Sequence, residues 1–151
     1  MKYFLYETGK EFQTLDKEII HIKNYIEIEK LRYNQGLKVK LNIKGKLKTT
    51  KIRPMLLIPL VENAFKHGAR NSKKNSFINI DLLVTSKIIR FRVENSFSKQ
   101  TKPITAQIGG IGLSNIKKRL EINYGLENFS FNTFNEKNKY IADLKINLKN
   151  D

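Results

Sequence analysis

The sequence predicts an α+β fold, a two-layer sandwich in which helices cover one face of a mixed, mostly antiparallel sheet. Helical and strand-like patterns follow one another as helix, strand, helix, strand, strand, loop, helix, strand, strand. Consecutive strands are joined by short turns, which favours antiparallel pairing. A doubly wound fold needs strands and helices in strict alternation, and this order does not provide it.

The helices are indicated by apolar spacing and by residues that start or stop helices. Residues 14–35 carry an apolar stripe at helical spacing, and Gly36 is a stop signal for it. The stripe consists of Leu15, Ile19, Ile22 and Ile26, widened by Ile28 and Leu31. Pro54 suits the first turn of a second helix that runs to about His67 and ends at Gly68. A third helix spans about residues 112–124 and closes at Gly125.

The strands are indicated by alternation of apolar and polar residues. "LKVKLNIKG" alternates strictly and is typical of a half-buried strand. "FINIDLLV" and "IIRFRVEN" form a predicted pair joined at "TSK", and "NFSFNTF" and "YIADLKINL" a second pair joined at "NEKNK". Residues 96–108 are polar and without pattern, so we interpret them as a mobile loop.

Length and composition indicate one globular domain. The 151 residues suffice for one core, 40% of them are apolar, and nine are Phe. The chain contains no cysteine, which excludes disulfides and thiolate metal sites. No window resembles a membrane span, and the first residues, "MKYFLYETGKEF", lack the apolar region of a secretory signal. We therefore expect a cytoplasmic domain.

The net charge of +15 has two interpretations. The basic residues cluster in two stretches: Lys38, Lys40, Lys44, Lys46, Lys48, Lys51 and Arg53, and Lys117, Lys118 and Arg119. They could form a polyanion-binding face. We favour a solvated surface, because the lysines mostly alternate with apolar residues as on the open face of a strand. Stacking aromatics are not interleaved with them, so no nucleic-acid partner is expected.

Two segments could carry chemistry. "PLVENAFKHG", residues 59–68, begins apolar and ends with Glu62, Asn63, Lys66 and His67. By itself it could be an amphipathic helix whose polar face meets solvent. "IGGIGLSNIKKRL", residues 108–120, places glycines where a polar loop becomes a helix. Backbone N–H groups at such a helix start can approach a phosphate, although an awkwardly shaped loop also needs glycines.

Together the two segments resemble a known superfamily. "PMLLIPLVENAFKHG" resembles the N-box, and "GGIGLSNIKKRL" the glycine-rich G2 box, of the ATPases that include gyrase, histidine kinases and mismatch-repair proteins. The sequences of both motifs are most similar to those of sensor histidine kinases of the LytS/YehU type. "LDKEIIHIKNYIEIEKLRY" also resembles the stretch that precedes their ATP-binding domain. The resemblance implies a Bergerat-type ATP-binding domain at residues 36–151, with residues 1–35 leading into it from a dimerisation region.

The resemblance also implies roles for individual residues. Asn63 would coordinate Mg²⁺ that bridges the ATP phosphates, and Glu62 would be the catalytic acid that orients or deprotonates the attacking group. The remaining nucleotide-binding residues would be Lys66, His67, Asn95, Gly109, Gly110, Ile111, Gly112, Leu113, Asn115 and Arg119. Residues 96–108 would form the lid over ATP.

One segment departs from the family pattern. Family members have an Asp-x-Gly-x-Gly segment whose carboxylate accepts a hydrogen bond from the adenine amino group. The corresponding place here is "VENSFS", where Asn95 stands in the position of the Asp and the glycines are absent. An amide oxygen can accept the same bond without a full charge, so weaker nucleotide binding is expected. Strand alternation should turn the neighbouring Glu94 to the other face.

The implied reaction transfers the γ-phosphoryl group of ATP to a histidine on upstream dimerisation helices, and from there to a response regulator. Nothing in the sequence matches the phosphoacceptor segment, and His21 is interpreted as an ordinary helix residue. The parent protein is expected to be a membrane-anchored homodimer. Two alternatives stay open: a degenerate module that binds ATP without phosphotransfer, and, less favoured, a basic nucleic-acid-binding domain.

Overall fold

The computed structural model describes residues 12–33, 36–69, 75–97 and 111–148. Within them the α-helices are α1 (Leu15–Arg32), α2 (Ile58–Ala64) and α3 (Ile111–Tyr124), and a π-helical turn (Phe65–Ala69) continues α2. The strands are β1 (Gln13–Thr14), β2 (Leu37–Lys44), β3 (Lys51–Ile52), β4 (Ser76–Val84), β5 (Ile88–Ser96), β6 (Phe129–Glu136) and β7 (Lys139–Asn147).

The main sheet has five strands in the order β2-β4-β5-β7-β6. β2 runs parallel to β4, and the other neighbouring pairs are antiparallel. Buried and accessible side chains alternate along β4 and β5, so one face of the sheet is covered. That face shares one hydrophobic core with α1, α2 and α3. The predicted two-layer α+β fold with a mixed, mostly antiparallel sheet is confirmed.

The first helix is shorter than predicted, and its apolar stripe is narrower. α1 ends at Arg32, before Gly36. Ile28 and Leu31 are 58% and 81% exposed, so the prediction that they widen the stripe is wrong. A helix turns about 100° per residue, which places both residues off the face that Leu15 and Ile22 share. Glu18 lies within that face and is buried.

The second helix begins later than predicted. Pro54 lies in a turn with Met55, whose φ is 58°, and α2 starts only at Ile58 with Pro59 in its first turn. Either proline satisfies the preference for the start of a helix, and the sequence pattern did not separate them. Gly68 lies inside the π-helical turn rather than after the helix.

The strands of the main sheet agree closely with their predicted segments. The third helix also agrees, and Gly125 follows it with a φ of 77°. β1 and β3 were missed; they pair over only two residues each, too few for an alternating pattern. Most of the predicted lid, residues 96–108, lies outside the described residues.

The first three lysines of the basic stretch lie on an edge of the main sheet. β2 is an edge strand in which exposed Lys38, Lys40 and Lys44 alternate with half-buried apolar residues. Exposed lysines on an edge strand discourage pairing with another chain. This geometry agrees with the interpretation of these lysines as solvent-facing strand positions.

α1 and the sheet belong to one core, since Leu15, Ile19 and Ile26 are buried with residues of α2 and β4. The division at residue 35 into a leading segment and an ATP-binding domain stays a prediction. Among the described helices, none is both long and apolar enough to cross a membrane.

The start of α2 is capped by a carboxylate from α1. Glu18 is fully buried. Its Oε1 accepts hydrogen bonds from the backbone N–H groups of Leu57 (2.9 Å) and Ile58 (3.3 Å). Its Oε2 accepts from the backbone N–H of Met55 and from Nε2 of Gln13, both at 2.9 Å. The residue at the N-cap provides no side-chain hydrogen bond, so Glu18 supplies the acceptor that the first turn needs.

Glu18→Ala should lower the free energy of unfolding by about 3 kcal/mol, because it leaves buried backbone donors without an acceptor. Glu27→Ala is the matched control on the same helix. It removes an exposed carboxylate that pairs with Lys30 at 3.2 Å, and it should change stability by less than about 0.5 kcal/mol. Denaturant unfolding followed by circular dichroism measures both, and similar losses in the two variants would contradict the capping role.

Candidate functional site

The N-box segment forms α2 and the π-helical turn, and it separates apolar from polar residues as predicted. Leu57, Leu60, Val61 and Phe65 are at most 1% exposed and fix the segment to the core. The polar residues lie outside that packed face: Asn63 is half-buried, and Glu62, Lys66 and His67 are exposed. An amide and three ionisable groups are thus accessible on two turns of chain.

The π-helical turn is anchored by aromatic rings. The ring of Phe65 meets Tyr25 edge-on at a centroid distance of 5.5 Å and lies over Tyr33 at 6.4 Å with 30° between the planes. Tyr25 lies in α1, and Tyr33 is the residue that caps its C-terminal end. π-Helical turns occur frequently at functional sites because the extra residue redirects neighbouring side chains. Here the turn carries Lys66 and His67.

Asn95 lies beneath the π-helical turn. Its side chain is 1% exposed on the helix-covered face, and its Nδ2 donates to the backbone oxygen of Ser96 at 3.0 Å. A Cβ placed on Gly68 would come within 2.8 Å of Asn95 Cβ, so only glycine fits there without a shift. Glu94 faces the other way, as predicted, and pairs with Arg92 at 2.7 Å. The structure therefore brings Asn95 together with the end of the N-box segment.

Gly68 is a site residue that the sequence analysis treated only as a helix stop. Its contact with Asn95 links positions that are 27 residues apart in the chain. The sequence signal for this role was the position of Gly68 at the end of the motif "PLVENAFKHG". A glycine is needed where the backbone passes directly over a side chain.

The charge of a second carboxylate acts on Glu62. The pKa of Glu62 is raised above its ordinary value, first by burial and then by the negative charge of Glu29 on α1. The same environment raises the pKa of Tyr25 to about 12, through burial followed by the charges of Glu29 and Glu62. Glu62 is thus close to α1, and its carboxylate holds a proton more readily than a free glutamate. A raised pKa suits a residue that accepts a proton near neutral pH.

The glycine segment is described in part. Gly109 and Gly110 lie outside the described residues, and Ile111 is the first residue of α3. Gly112 is exposed, and a Cβ placed on it would meet nothing within 4 Å. Leu113 is only 6% exposed and belongs to the core, so its side chain anchors the helix. Asn115, also predicted to bind nucleotide, is exposed.

Arg119 does not extend from α3 towards its glycine end. Its Nη1 donates to the backbone oxygen of Met55 at 2.7 Å, and its Nη2 to that of Pro54 at 2.6 Å. Arg119 lies eight residues after the start of α3, which is about 12 Å along the helix axis. In this structure the Arg119 guanidinium binds the loop before α2, and its predicted role in nucleotide binding stays a prediction.

The chemistry of Mg²⁺ fits what the structure offers. Among the described residues, no three His, Cys, Asp or Glu side chains are grouped as metal ligands, and none forms a hydrogen bond with the Asn63 amide. Mg²⁺ takes few protein oxygens and keeps waters and substrate phosphates as ligands. One accessible amide oxygen is compatible with that mode of binding.

A cavity of about 1080 Å³ lies away from these residues. Val84, Thr85, Asn128 and Asn147 contribute to its lining, so it adjoins the start of β5, whereas Asn95 is near the end of that strand. The cavity contains none of the predicted site residues.

Comparisons with known proteins identify similar sequences. The sensor histidine kinase BtsS of Escherichia coli K12 is 30% identical over 115 residues, which are 76% of this chain and 20% of BtsS. The sensor histidine kinase/phosphatase LytS of Staphylococcus aureus MRSA252 is 31% identical over 84 residues, 55% of this chain and 14% of LytS. The chain thus spans about a fifth or less of these relatives. No protein-family model matches the sequence.

Solved structures show the same fold. The nucleotide-free catalytic domain of the histidine kinase ThkA has a TM-score of 0.62 at 20% identity, over 90% of this chain and 93% of that domain. ThkA in complex with the response regulator protein TrrA has a TM-score of 0.63 at 19% identity, over 97% of this chain and 45% of that one.

Glu62→Gln should stabilise the protein near neutral pH but not in acid. The raised pKa means that the folded state keeps this proton better than the unfolded chain does. The resulting stability is present below the ordinary pKa of 4.5 and is lost as pH rises through the folded pKa. Gln is neutral at every pH. The melting temperature of the variant should therefore exceed that of the wild type only at pH values above the folded-state pKa of Glu62.

Thermal unfolding at about pH 4 and about pH 7 measures this difference. Glu27→Gln, which removes a charge from the exposed face of α1, controls for net charge. An NMR titration of the Glu62 carboxyl group in Glu29→Gln should show a partial fall in the pKa, since burial is the larger cause. A melting-temperature difference that does not change with pH would contradict the assignment.

Proposed function

We propose that this chain is the ATP-binding kinase domain of a two-component sensor histidine kinase, since its relatives are sensor histidine kinases and its fold is that of their catalytic domains. The resemblance to LytS-type kinases indicated by the two motifs is confirmed by these relatives. The observation that carries the proposal is the contact between the N-box segment and Asn95, which places motif residues around one end of the helix-covered face.

The orientation of α3 supports a site between two helices. Its C-terminal half lies beside the start of α2, since Arg119 bonds to Pro54 and Met55, and the Tyr124 hydroxyl accepts from the backbone N–H of Arg53 at 3.1 Å. α2 and α3 are also in contact. We infer that the first turn of α3 lies towards the Asn63 end of α2, so that a nucleotide would be held between them.

The residues then have distinct tasks. The backbone of Gly112, with Gly109, Gly110, Ile111 and Leu113, would approach the ATP phosphates, and the helix start would favour their negative charge. Lys66 and His67 would lie against the ribose or the phosphates. The Asn95 amide oxygen would accept from the adenine amino group. Asn115 would lie at the phosphate end.

Asn63 and Glu62 would act at the reacting end of ATP. The Asn63 amide oxygen would hold Mg²⁺, which neutralises phosphate charge when it is bound. The Glu62 carboxylate would orient the attacking group and take its proton, helped by its raised pKa. Catalysis in phosphoryl transfer depends mainly on positioning and on charge neutralisation, so these two residues need a rigid helix beneath them.

The acceptor and the partners belong to the whole protein. We propose that the γ-phosphoryl group passes to a histidine on dimerisation helices outside this chain and then to a response regulator. The ThkA complex with the response regulator TrrA supports a partner of this kind. The parent would be a membrane-anchored homodimer with this domain in the cytoplasm, consistent with a chain that spans 20% of BtsS.

Asn63→Ala should weaken Mg²⁺-ATP binding roughly ten-fold or more while the fold is retained, because the side chain is accessible and bonded to no described residue. Calorimetric titration gives the affinity, and circular dichroism the melting temperature. Asn24→Ala, an exposed amide on α1, is the matched control and should bind as the wild type does. Unchanged affinity in a folded Asn63→Ala protein would overturn the metal assignment.

Asn95→Asp should raise the ratio of ATP to GTP affinity. A charged acceptor makes roughly twice as strong a hydrogen bond as a neutral one, and guanine presents a carbonyl where adenine has its amino group. The variant also loses the donor to Ser96, a cost that both nucleotides share and that cancels in the ratio. Asn132→Asp, exposed on β6, controls for the added charge. If the ratio does not rise, Asn95 does not contact the base.

A further inference from the structure

The loop that precedes α2, residues 53–57, is held from two sides by different helices. From α1, the Glu18 carboxylate accepts from the backbone N–H groups of Met55 and Leu57. From α3, the Arg119 guanidinium donates to the backbone oxygens of Pro54 and Met55. A negative group thus satisfies the donors of the loop, and a positive group satisfies its acceptors. Met55 bonds to both.

The contact made by Arg119 requires its forked shape. Two separate N–H groups reach two successive carbonyl oxygens at 2.7 and 2.6 Å. A lysine ammonium is a single point of charge on a flexible stem and cannot reproduce a planar fork. Lys118 is adjacent in sequence, yet it is exposed and forms no ion pair with a described residue. The arginine type therefore matters at position 119 for geometry and not for charge alone.

We propose that Arg119 is a positioning residue that fixes the spacing between α2, which carries Asn63, and α3, which carries Gly112. This proposal rests on the proposed function. Mg²⁺-ATP needs both helices at once: the amide of Asn63 for the metal and the glycine backbone for the phosphates. A change in their spacing weakens the metal-dependent part of binding, although Arg119 never contacts the ligand.

Glu18 holds the same loop from the opposite side. Because Met55 is bonded to both Glu18 and Arg119, loosening one contact frees the loop to move away from the other. The amides of Met55, Leu57 and Ile58 bond to Glu18 and not to Arg119, so their hydrogen exchange reports the state of the loop independently of the residue that is changed.

The experiment uses Arg119→Met and Arg119→Lys in the whole 151-residue chain, with Lys118→Met as the control. Hydrogen exchange in the absence of nucleotide gives the exchange rates of the Met55, Leu57 and Ile58 amides. Calorimetry measures ATP affinity with Mg²⁺ and with EDTA, and the ratio of the two dissociation constants gives the contribution of the metal. Arg119→Lys keeps the positive charge and serves as the second variant if Arg119→Met does not fold.

Arg119→Met should raise the three exchange rates roughly ten-fold or more and reduce the metal contribution several-fold, with Arg119→Lys changing both in the same direction. Lys118→Met should change neither. Equal loss of ATP affinity with and without Mg²⁺, at unchanged exchange, would overturn the proposal in favour of direct phosphate binding. Faster exchange with an unchanged metal contribution would overturn it in favour of a purely structural role.

Failure of the proposed function gives a different result. If the wild-type chain does not bind ATP at all, the kinase assignment falls, and with it the link from Arg119 to the metal. The exchange rates then still show whether Arg119 holds the loop. A wild type that binds Mg²⁺-ATP, combined with an unaffected Arg119→Met variant, contradicts the positioning role alone.

Discussion

The Glu18 carboxylate is the contact on which the candidate site depends. α2 has only seven residues, too few for a helix that is stable by itself. Its start is buried, with Leu57 and Ile58 at most 4% exposed, so water cannot satisfy the free N–H groups there. Glu18 provides the acceptor and thereby fixes where α2 begins and how it is oriented. Asn63 and Glu62 follow within two turns, so the geometry of the predicted metal and acid positions is set by α1.

Periodicity was sufficient to predict the strands of the main sheet and the presence of the three helices, because apolar spacing reports which face of an element is buried. It was not sufficient for polar residues on that face. Glu18 lies in the same helical sector as Ile22, but its backbone partners are in a loop 37 or more residues away. A carboxylate at such a position is usually solvated, and only the tertiary contact distinguishes the two cases. The start of α2 was misplaced at Pro54 for the same reason: a tertiary contact fixes it, and the local pattern does not show that contact.

The candidate site was predictable as a set of residue types and only partly as an arrangement. The N-box motif indicated Glu62 and Asn63, and their exclusion from the packed face followed from helical geometry. The motif did not indicate that Gly68 passes over Asn95, that Glu29 lies close to Glu62, or that Arg119 binds backbone oxygens. These contacts join elements distant in sequence, and local spacing carries no information about them.

We propose that the nucleotide binds around the end of the N-box segment and not in the cavity near the start of β5. The most direct test is an amide NMR titration of the labelled wild-type chain with Mg²⁺-ATP. We predict that the resonances of Asn63, Gly68, Asn95 and Gly112 shift together as the site fills, while those of Thr85 and Asn128 do not. Shifts confined to Thr85, Asn128 and their neighbours, with Asn63 and Asn95 unchanged, would contradict it.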